Sequence, residues 1–293
     1  MFSTDDVGPS MPNIVYRHPP RSSFPVSSHF STALSDIISA FEAHENDKSH
    51  SIHRVVCFST SNAVCLYDKY PKAQKHLLLV PRLRSPLGEV KSLSDLIPSV
   101  HFGHMRSFHS LANAVGAKMS GTTSHRILCG YHAVPSLVPL HLHIISSDFD
   151  SDCMKTKKHI NSFTNLHFFV SPEALESHME SSFVDGMGVR VHSERAEGIL
   201  KTTPFTCRKC GQISKNVPRW KDHNRTCTFK WTENNERERE MTSILLGWQR
   251  KDCGKEAGDG LNQRKRKNEN EEQGRGIRKF LSRPPLSIEH EAH

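Results

Sequence analysis

Apolar residues recur along this chain with two different periods. Leu34, Ile37, Ile38 and Phe41 stand at i, i+3, i+4 and i+7, one face of a helix predicted from Phe30 to about Ala43. Met105, Phe108, Leu111, Ala112 and Val115 form a second stripe, within a helix from about Ser99 to Met119. Around these lie short apolar runs, Arg54–Phe58, Ala63–Tyr67, His76–Val80, Ile127–Tyr131 and Leu140–Ser146, which read as strands. Ser171-Pro172-Glu173 opens another helix, with a capping serine, a proline at the first position and an acid at the positive end of the dipole. A further short strand falls between Gly186 and about Ala196. Strands close in sequence and interrupted by a helix favour an antiparallel α+β layer architecture.

The ends of the chain lack this patterning. Residues 1–25 are rich in Pro and Ser, and beyond Trp248 the chain is polar with almost no apolar period. The expected plan is a disordered lead over 1–25, an α+β domain over 26–190, a small basic module over 191–236 and a largely disordered tail over 237–293. Composition agrees: the apolar set is 35%, and 16 glycines lift it only to roughly 40%, short of the ~45–50% of ordinary globular chains. No internal repeat is present, and no apolar run reaches the length of a membrane-spanning helix. Met1 to Asp6 has neither the basic start nor the apolar stretch of a signal peptide, so an intracellular protein is expected. Its eight cysteines are then expected as thiols or metal ligands, with Cys57, Cys65 and Cys129 as buried thiols inside apolar runs.

The densest chemistry lies in Pro139-Leu140-His141-Leu142-His143-Ile144-Ile145-Ser146. On a strand His141 and His143 share one face, while Leu140, Leu142 and Ile144 point into the core. Two imidazoles so placed suit a phosphate or a metal ion, and equally a pair of solvated surface histidines.

Cys207-x2-Cys210-x12-His223-x3-Cys227 has zinc-finger spacing. Two thiolates at a knuckle before Gly211 and two ligands four apart on one helix face make a closed tetrahedral site, hence a structural zinc. The same segment carries the charge. The chain is +8 with pI near 9.1. Residues 201–230 hold Lys201, Arg208, Lys209, Lys215, Arg219, Lys221, Arg225 and Lys230 against the single acid Asp222, a local +7. Such a patch implies phosphate contacts with little sequence specificity, as on nucleic acid. In the tail, Gln263-Arg264-Lys265-Arg266-Lys267-Asn268 reads as a nuclear-import cluster, although residues 251–293 carry ten basic and eight acidic side chains and are no electrostatic anchor.

Context narrows the histidine strand. Asp68-Lys69-Tyr70-Pro71-Lys72-Ala73-Gln74-Lys75-His76 precedes a strand, and Gly130-Tyr131-His132-Ala133-Val134-Pro135-Ser136 leads to the histidine pair. Asp148-Phe149-Asp150-Ser151 follows it, and then Lys157-Lys158-His159-Ile160-Asn161-Ser162-Phe163. Together these motifs resemble the aprataxin family, histidine-triad (HIT) nucleotide hydrolases with a C-terminal zinc finger, in their fungal form; the resemblance covers roughly residues 28–232. It implies a HIT-type catalytic domain in which His141 attacks the α-phosphorus of an adenylate to form a phosphohistidine. His143, His132 and Ser136 would donate to the phosphate oxygens, with His76 beside them. Asp68 would accept from the ribose hydroxyls and Lys72 would support the phosphate. Lys157, Lys158, His159 and Ser162 would face the 5′-phosphate side of a DNA strand, together with Arg208 and Lys209 of the finger. Phe30 would stack on the terminal base pair or staple the first helix. One position departs from the family: Pro139 stands where a further histidine is expected, which leaves the support of His141 unassigned.

The expected function is a monomeric nuclear enzyme of single-strand break repair that removes AMP from 5′-adenylated DNA ends. A small-molecule phosphoramidate or dinucleotide hydrolase gives the +7 module nothing to grip. A non-catalytic DNA-binding protein leaves the joint retention of His141, His143, Ser136, Asp68 and His76 without a reason.

Overall fold

A computed structural model of the chain describes residues 14, 16–181, 183, 186–228 and 246–250. The import-like cluster and most of the expected tail lie outside these residues. Six strands form one antiparallel sheet: β1 (Val56–Ser59), β2 (Ala63–Tyr67), β3 (His76–Pro81), β4 (Ile127–His132), β5 (Leu142–Ser146) and β6 (Phe169–Val170). Their spatial order is β1-β2-β3-β5-β4-β6, which puts the histidine strand β5 between β3 and β4. The helices are α1 (Ala33–Ala43), α2 (Pro98–Ser120), α3 (Lys157–Thr164), α4 (Pro172–Glu180), α5 (Ser193–Thr202) and α6 (Val217–Thr226). The expected strand after Gly186 is β7 (Met187–Val191), and it pairs with β10 (Leu246–Arg250). A two-stranded hairpin, β8 (Phe205–Thr206) and β9 (Ile213–Ser214), precedes α6. Among the described residues, no helix is long and apolar enough to cross a membrane.

Strand alternation sends two different sets of side chains to the two faces of the sheet. Cys65, Leu77, Leu79, Tyr131, Leu142 and Ile144 share a core with Met105, Phe108, Ala112, Val115 and Met119 of α2. On the opposite face, Val64, Leu66, Leu78 and Val80 pack with Leu34, Ile37, Ile38 and Phe41 of α1. Farther along that face, Leu128, Ile145 and Phe169 pack with Ile160 and Phe163 of α3 and with Trp220 of α6. The strip between these two clusters is where the histidines stand.

Two expectations change. The lead is not free through residue 25: Ile14 and Phe24 are buried in the two cores, and burial of apolar side chains holds the intervening segment against the sheet. The expected boundary near residue 190 is not a break in packing either. The described residues form one compact unit, in which α6 packs over the end of the face that carries Leu128 and Ile145. Trp220 is 0% exposed and lies 6.1 Å from the Phe149 ring. Lys221 Nζ donates to the Ser151 carbonyl at 2.7 Å, and Arg225 pairs with Asp150 at 3.0 Å.

Candidate active site

Three adjacent strands bring the histidines together. His76 opens β3, His143 stands opposite Leu78 of β3 and Gly130 of β4, and His132 ends β4. All three side chains share the face that carries Leu78, Ile145 and Leu128. Gly130 makes room for them: a Cβ there would lie 2.6 Å from the Phe169 ring, which packs over this face. His141 sits just before the ladder of β5, because the strand begins at Leu142 and not at Leu140. Its ring centre is 5.0 Å from that of His143, and those of His132 and His143 are 4.3 Å apart. Phe163 closes the cluster from α3, with ring contacts to His76, His132 and His143.

Hydrogen bonds specify where the protons are. The Lys72 amide donates to His76 Nδ1 at 3.2 Å, so the His76 proton is on Nε2. That Nε2 is 2.9 Å from His143 Nδ1 and donates to it. His143 then carries its own proton on Nε2, which is buried and has no protein partner. An unsatisfied buried donor is costly, so this N–H is a binding group for an acceptor such as a phosphate oxygen. His132 Nε2 is also buried without a partner. His141 Nδ1 lies 2.9 Å from the Pro139 carbonyl, which can only accept; the lone pair of His141 is therefore on Nε2. The departure at Pro139 resolves here, since a backbone carbonyl orients His141 and no imidazole at 139 is needed.

Electrostatics keep the rings neutral. Burial pushes the His76 imidazole down to about 4, with Asp68 opposing the shift. Burial likewise lowers His141, and it lowers His132 and His143 well below the ordinary value, reinforced by the neighbouring imidazoles and by Lys72. Asp68 lies 3.5 Å from His76 Nδ1, but that nitrogen already accepts from Lys72, so the contact is not an ion pair. Asp68, His76 and His143 are also close enough to suggest a cation site. The 2.9 Å separation of two of the nitrogens is a hydrogen bond, shorter than the ~3.3 Å edge of a tetrahedron at metal–nitrogen distances.

The other expected site residues are placed as follows. Asp68 Oδ1 accepts from the Tyr70 amide at 2.7 Å, forming the turn that carries Lys72, whose ammonium donates to the Tyr70 carbonyl. Ser136 is exposed on the loop between β4 and His141. Lys157 and Lys158 open α3; Lys157 lies 5.1 Å from the centre of the Phe205 ring, and Lys158 is exposed on the site side, where its charge lowers His132. His159 accepts from the Lys155 amide, and the Ser162 hydroxyl donates inward to the His159 carbonyl. Phe30 is 65% exposed, so it does not staple α1. Part of the +7 is engaged within the protein: Lys209 donates to the Asn224 carbonyl, Lys221 to Ser151, and Arg225 to Asp150 and Asp222. Arg208 stands in the same knuckle, while Lys215 and Arg219 are exposed.

Cys207, Cys210, His223 and Cys227 present ligand atoms that all lie within 4.8 Å of one another, a set that can hold a metal ion and is compatible with zinc. Cys207 Sγ and Cys227 Sγ are 3.9 Å apart, near the ~3.8 Å edge of a tetrahedron with zinc–sulfur bonds. Backbone amides of Lys209 and Cys210 point at Cys207 Sγ, and Gly211 takes the positive φ of 77° that the knuckle requires. Sequence reasoning missed the support behind the site from Tyr16, which accepts from the His76 amide, His18, which bonds the Asp68 carbonyl, and Trp220. Trp220 within a basic helix is the only one of these with a local signal.

A six-stranded antiparallel sheet with histidines from three strands on one face has the form of a histidine-triad domain. Residues 39–159 match the family model described as scavenger mRNA decapping enzyme C-term binding. The chain is 57% identical over 172 residues to the aprataxin-like protein of Saccharomyces cerevisiae, covering 51% of this chain and 76% of that one. It is 34% identical over 170 residues to aprataxin of Gallus gallus, covering 58% of this chain and 50% of that one. It is also similar to the solved structure described as Hnt3 in complex with DNA and guanosine, with TM-score 0.45 and 22% identity over 74% of this chain and 100% of that one. The chain belongs to the aprataxin family. It spans about half the length of the vertebrate relatives it matches.

Proposed function

We propose that this chain is a DNA 5′-adenylate hydrolase, which removes AMP from 5′-adenylated ends left by abortive ligation and acts in the nucleus in single-strand break repair. The observation that carries this reading is the proton arrangement of the site. A neutral His141 offers the Nε2 lone pair, and beside it the His143 Nε2–H, held by the Lys72–His76 relay, offers a donor. A nucleophile next to preorganised donors is what phosphoryl transfer needs.

His141 Nε2 attacks the α-phosphorus, and the bond from phosphorus to the DNA 5′-phosphate oxygen breaks. The DNA leaves with its 5′-phosphate, which is a weak base and needs no strong acid. Water then attacks the phosphohistidine, the P–N bond breaks, AMP departs with the water's oxygen, the displaced proton passes to solvent, and the lone pair returns to His141. His143 and His132 donate to the non-bridging oxygens in both steps, and Phe163 excludes water from the far side of the rings. Asp68 and Lys72 hold the nucleotide. Cys207, Cys210, His223 and Cys227 would hold zinc, which would keep the finger folded. Exposed Lys158, Lys215 and Arg219, with the exposed Phe30 ring, favour a polyanionic strand as substrate over a mononucleotide.

The test is single-turnover release of AMP from adenylated nicked DNA and, separately, from a mononucleotide phosphoramidate. DNA is expected to be the better substrate at low salt, and His141→Ala is expected to abolish release while DNA binding persists. A variant that retains more than about a tenth of the turnover, only ~1.4 kcal/mol of barrier, would exclude covalent attack by His141.

A further inference from the structure

The segment over residues 16–24 lies outside the residues matched by the family model and ahead of the stretch that carries the motifs. It is anchored on opposite faces of the sheet, by Ile14 just ahead of it and by Phe24 at its end. Ile14 belongs to the core under α2, and Phe24 belongs to the core under α1. The chain between them therefore crosses the end of the sheet where β2 passes into β3. That connection contains Asp68 and Lys72 and leads directly into His76.

The segment touches this connection at Asp68 and Tyr70, and touches His76 where β3 begins. His18 Nε2 is 2.6 Å from the Asp68 carbonyl, and since a carbonyl only accepts, the imidazole donates. The Arg21 guanidinium lies 5.3 Å from the centre of the Tyr70 ring and donates to Cys153 Sγ at 2.7 Å. Tyr16 Oη accepts from the His76 amide at 3.0 Å and lies 3.4 Å from the His76 carbonyl. The Tyr67 ring, the last residue of β2, has edge contacts with both Tyr16 and His18, at 5.5 and 6.1 Å between centres. Burial pushes the Tyr16 phenol well above its ordinary value, so it remains a neutral hydroxyl that can accept and donate at once. These contacts reach the backbone and flank of the loop and not the reacting atoms.

We propose that residues 16–24 form a positioning clamp on the nucleotide loop, in which Tyr16 aligns His76, and through it the proton on His143, while His18 fixes the turn of Asp68. The two halves have separable consequences. Loss of the Tyr16 hydroxyl takes the partner from the His76 amide and leaves its carbonyl to the Asp68 amide, which loosens the residue whose Nε2–H dictates which nitrogen of His143 carries the proton. A wrongly placed proton presents a lone pair to the phosphate oxygen and slows the chemical step. Loss of His18 loosens the Asp68 turn and weakens nucleotide binding.

The clamp rests on the hydrolase reading, but its first measurement does not. Imidazole 15N shifts in the free, full-length protein report the tautomer of His143. The unmutated chain is expected to show the proton on Nε2, Tyr16→Phe a mixture, and His18→Ala the unmutated pattern. Steady-state kinetics on adenylated nicked DNA supply the second readout. Tyr16→Phe is expected to lower kcat about tenfold at nearly constant KM, and His18→Ala to raise KM about tenfold at nearly constant kcat. His18→Gln, whose amide can still donate to the Asp68 carbonyl, is expected to restore KM. Tyr16→Phe keeps the ring, and thermal melting of each variant separates misfolding from misalignment. An unchanged His143 tautomer in folded Tyr16→Phe overturns the clamp, as does an equal effect of both variants on kcat and KM. If the unmutated protein releases no AMP, the hydrolase reading fails, and the tautomer comparison still decides the clamp.

Discussion

Acidification from pH 7.5 to pH 5.0 tests the neutral histidine cluster without reference to any substrate. His76 is 0% exposed, and burial pushes its imidazole down to about 4. The unfolded chain takes up that proton at the ordinary value of about 6.5. The folded-state value is depressed, so the stability linked to this group is fully present above about 6.5 and is lost as pH falls toward 4. At pH 5.0 the unfolded His76 is almost fully charged and the folded one is not, which favours unfolding by about 2 kcal/mol relative to pH 7.5. His132, His141 and His143 shift in the same direction and add to the effect. The assay is urea unfolding at the two pH values, followed by tryptophan fluorescence and fitted with a shared slope. His76→Gln is expected to remove the His76 share of the dependence. An unfolding free energy that is equal or larger at pH 5.0 would refute the assignment of these rings as buried and neutral.

Other consequences are local. Gly130→Ala pushes a methyl group into the Phe169 ring, at an expected cost of about 1–3 kcal/mol and with slower AMP release, because that ring lies 6.2 and 6.4 Å from His132 and His143. Melting and single-turnover rates check it, and an unchanged pair of values would mean that the close approach is not needed. His109 is 2.9 Å from the Tyr131 hydroxyl and 2.6 Å from Glu176, so His109→Leu strands a buried hydroxyl and should cost about 1–3 kcal/mol on denaturant unfolding. Its effect on AMP release should stay within about threefold, since this network lies on the opposite face of the sheet from the site. Chelation of the metal, or Cys207→Ser with Cys210→Ser, should loosen α6 and shift tryptophan emission to the red as Trp220 is exposed, with elemental analysis reporting the loss of zinc. An unmutated, DNA-binding preparation that contains no zinc would remove the metal from the account.

The elements were legible wherever one period dominated. The stripe Leu34, Ile37, Ile38 and Phe41 is the buried face of α1, and the five short apolar runs are β1 to β5 of the sheet, while the sixth strand, Phe169–Val170, is too short to carry a period. The cluster at 207, 210, 223 and 227, which can hold a metal ion, was legible because metal geometry requires a nearly local set of residues. The pairing of His141 with His143 came from alternation along one strand. What alternation cannot show is which strands become neighbours. His76, His132 and His143 meet because β5 inserts between β3 and β4, a long-range pairing with no local signature. The same limit hid the lead: Tyr16 and His18 have no period of their own and gain partners only because Ile14 and Phe24 find cores on opposite faces of the sheet. It also inflated the basic patch, since side chains counted as free charge, such as Lys209, Lys221 and Arg225, are used to hold α6 in place. The residue types and spacing in the sequence specified the chemistry available to this chain. The bonds that orient His141, to the Pro139 carbonyl, and His76, from the Lys72 amide, are local, but the proton on His143 is placed by His76, 67 residues away, which only the folded sheet brings within 2.9 Å of it.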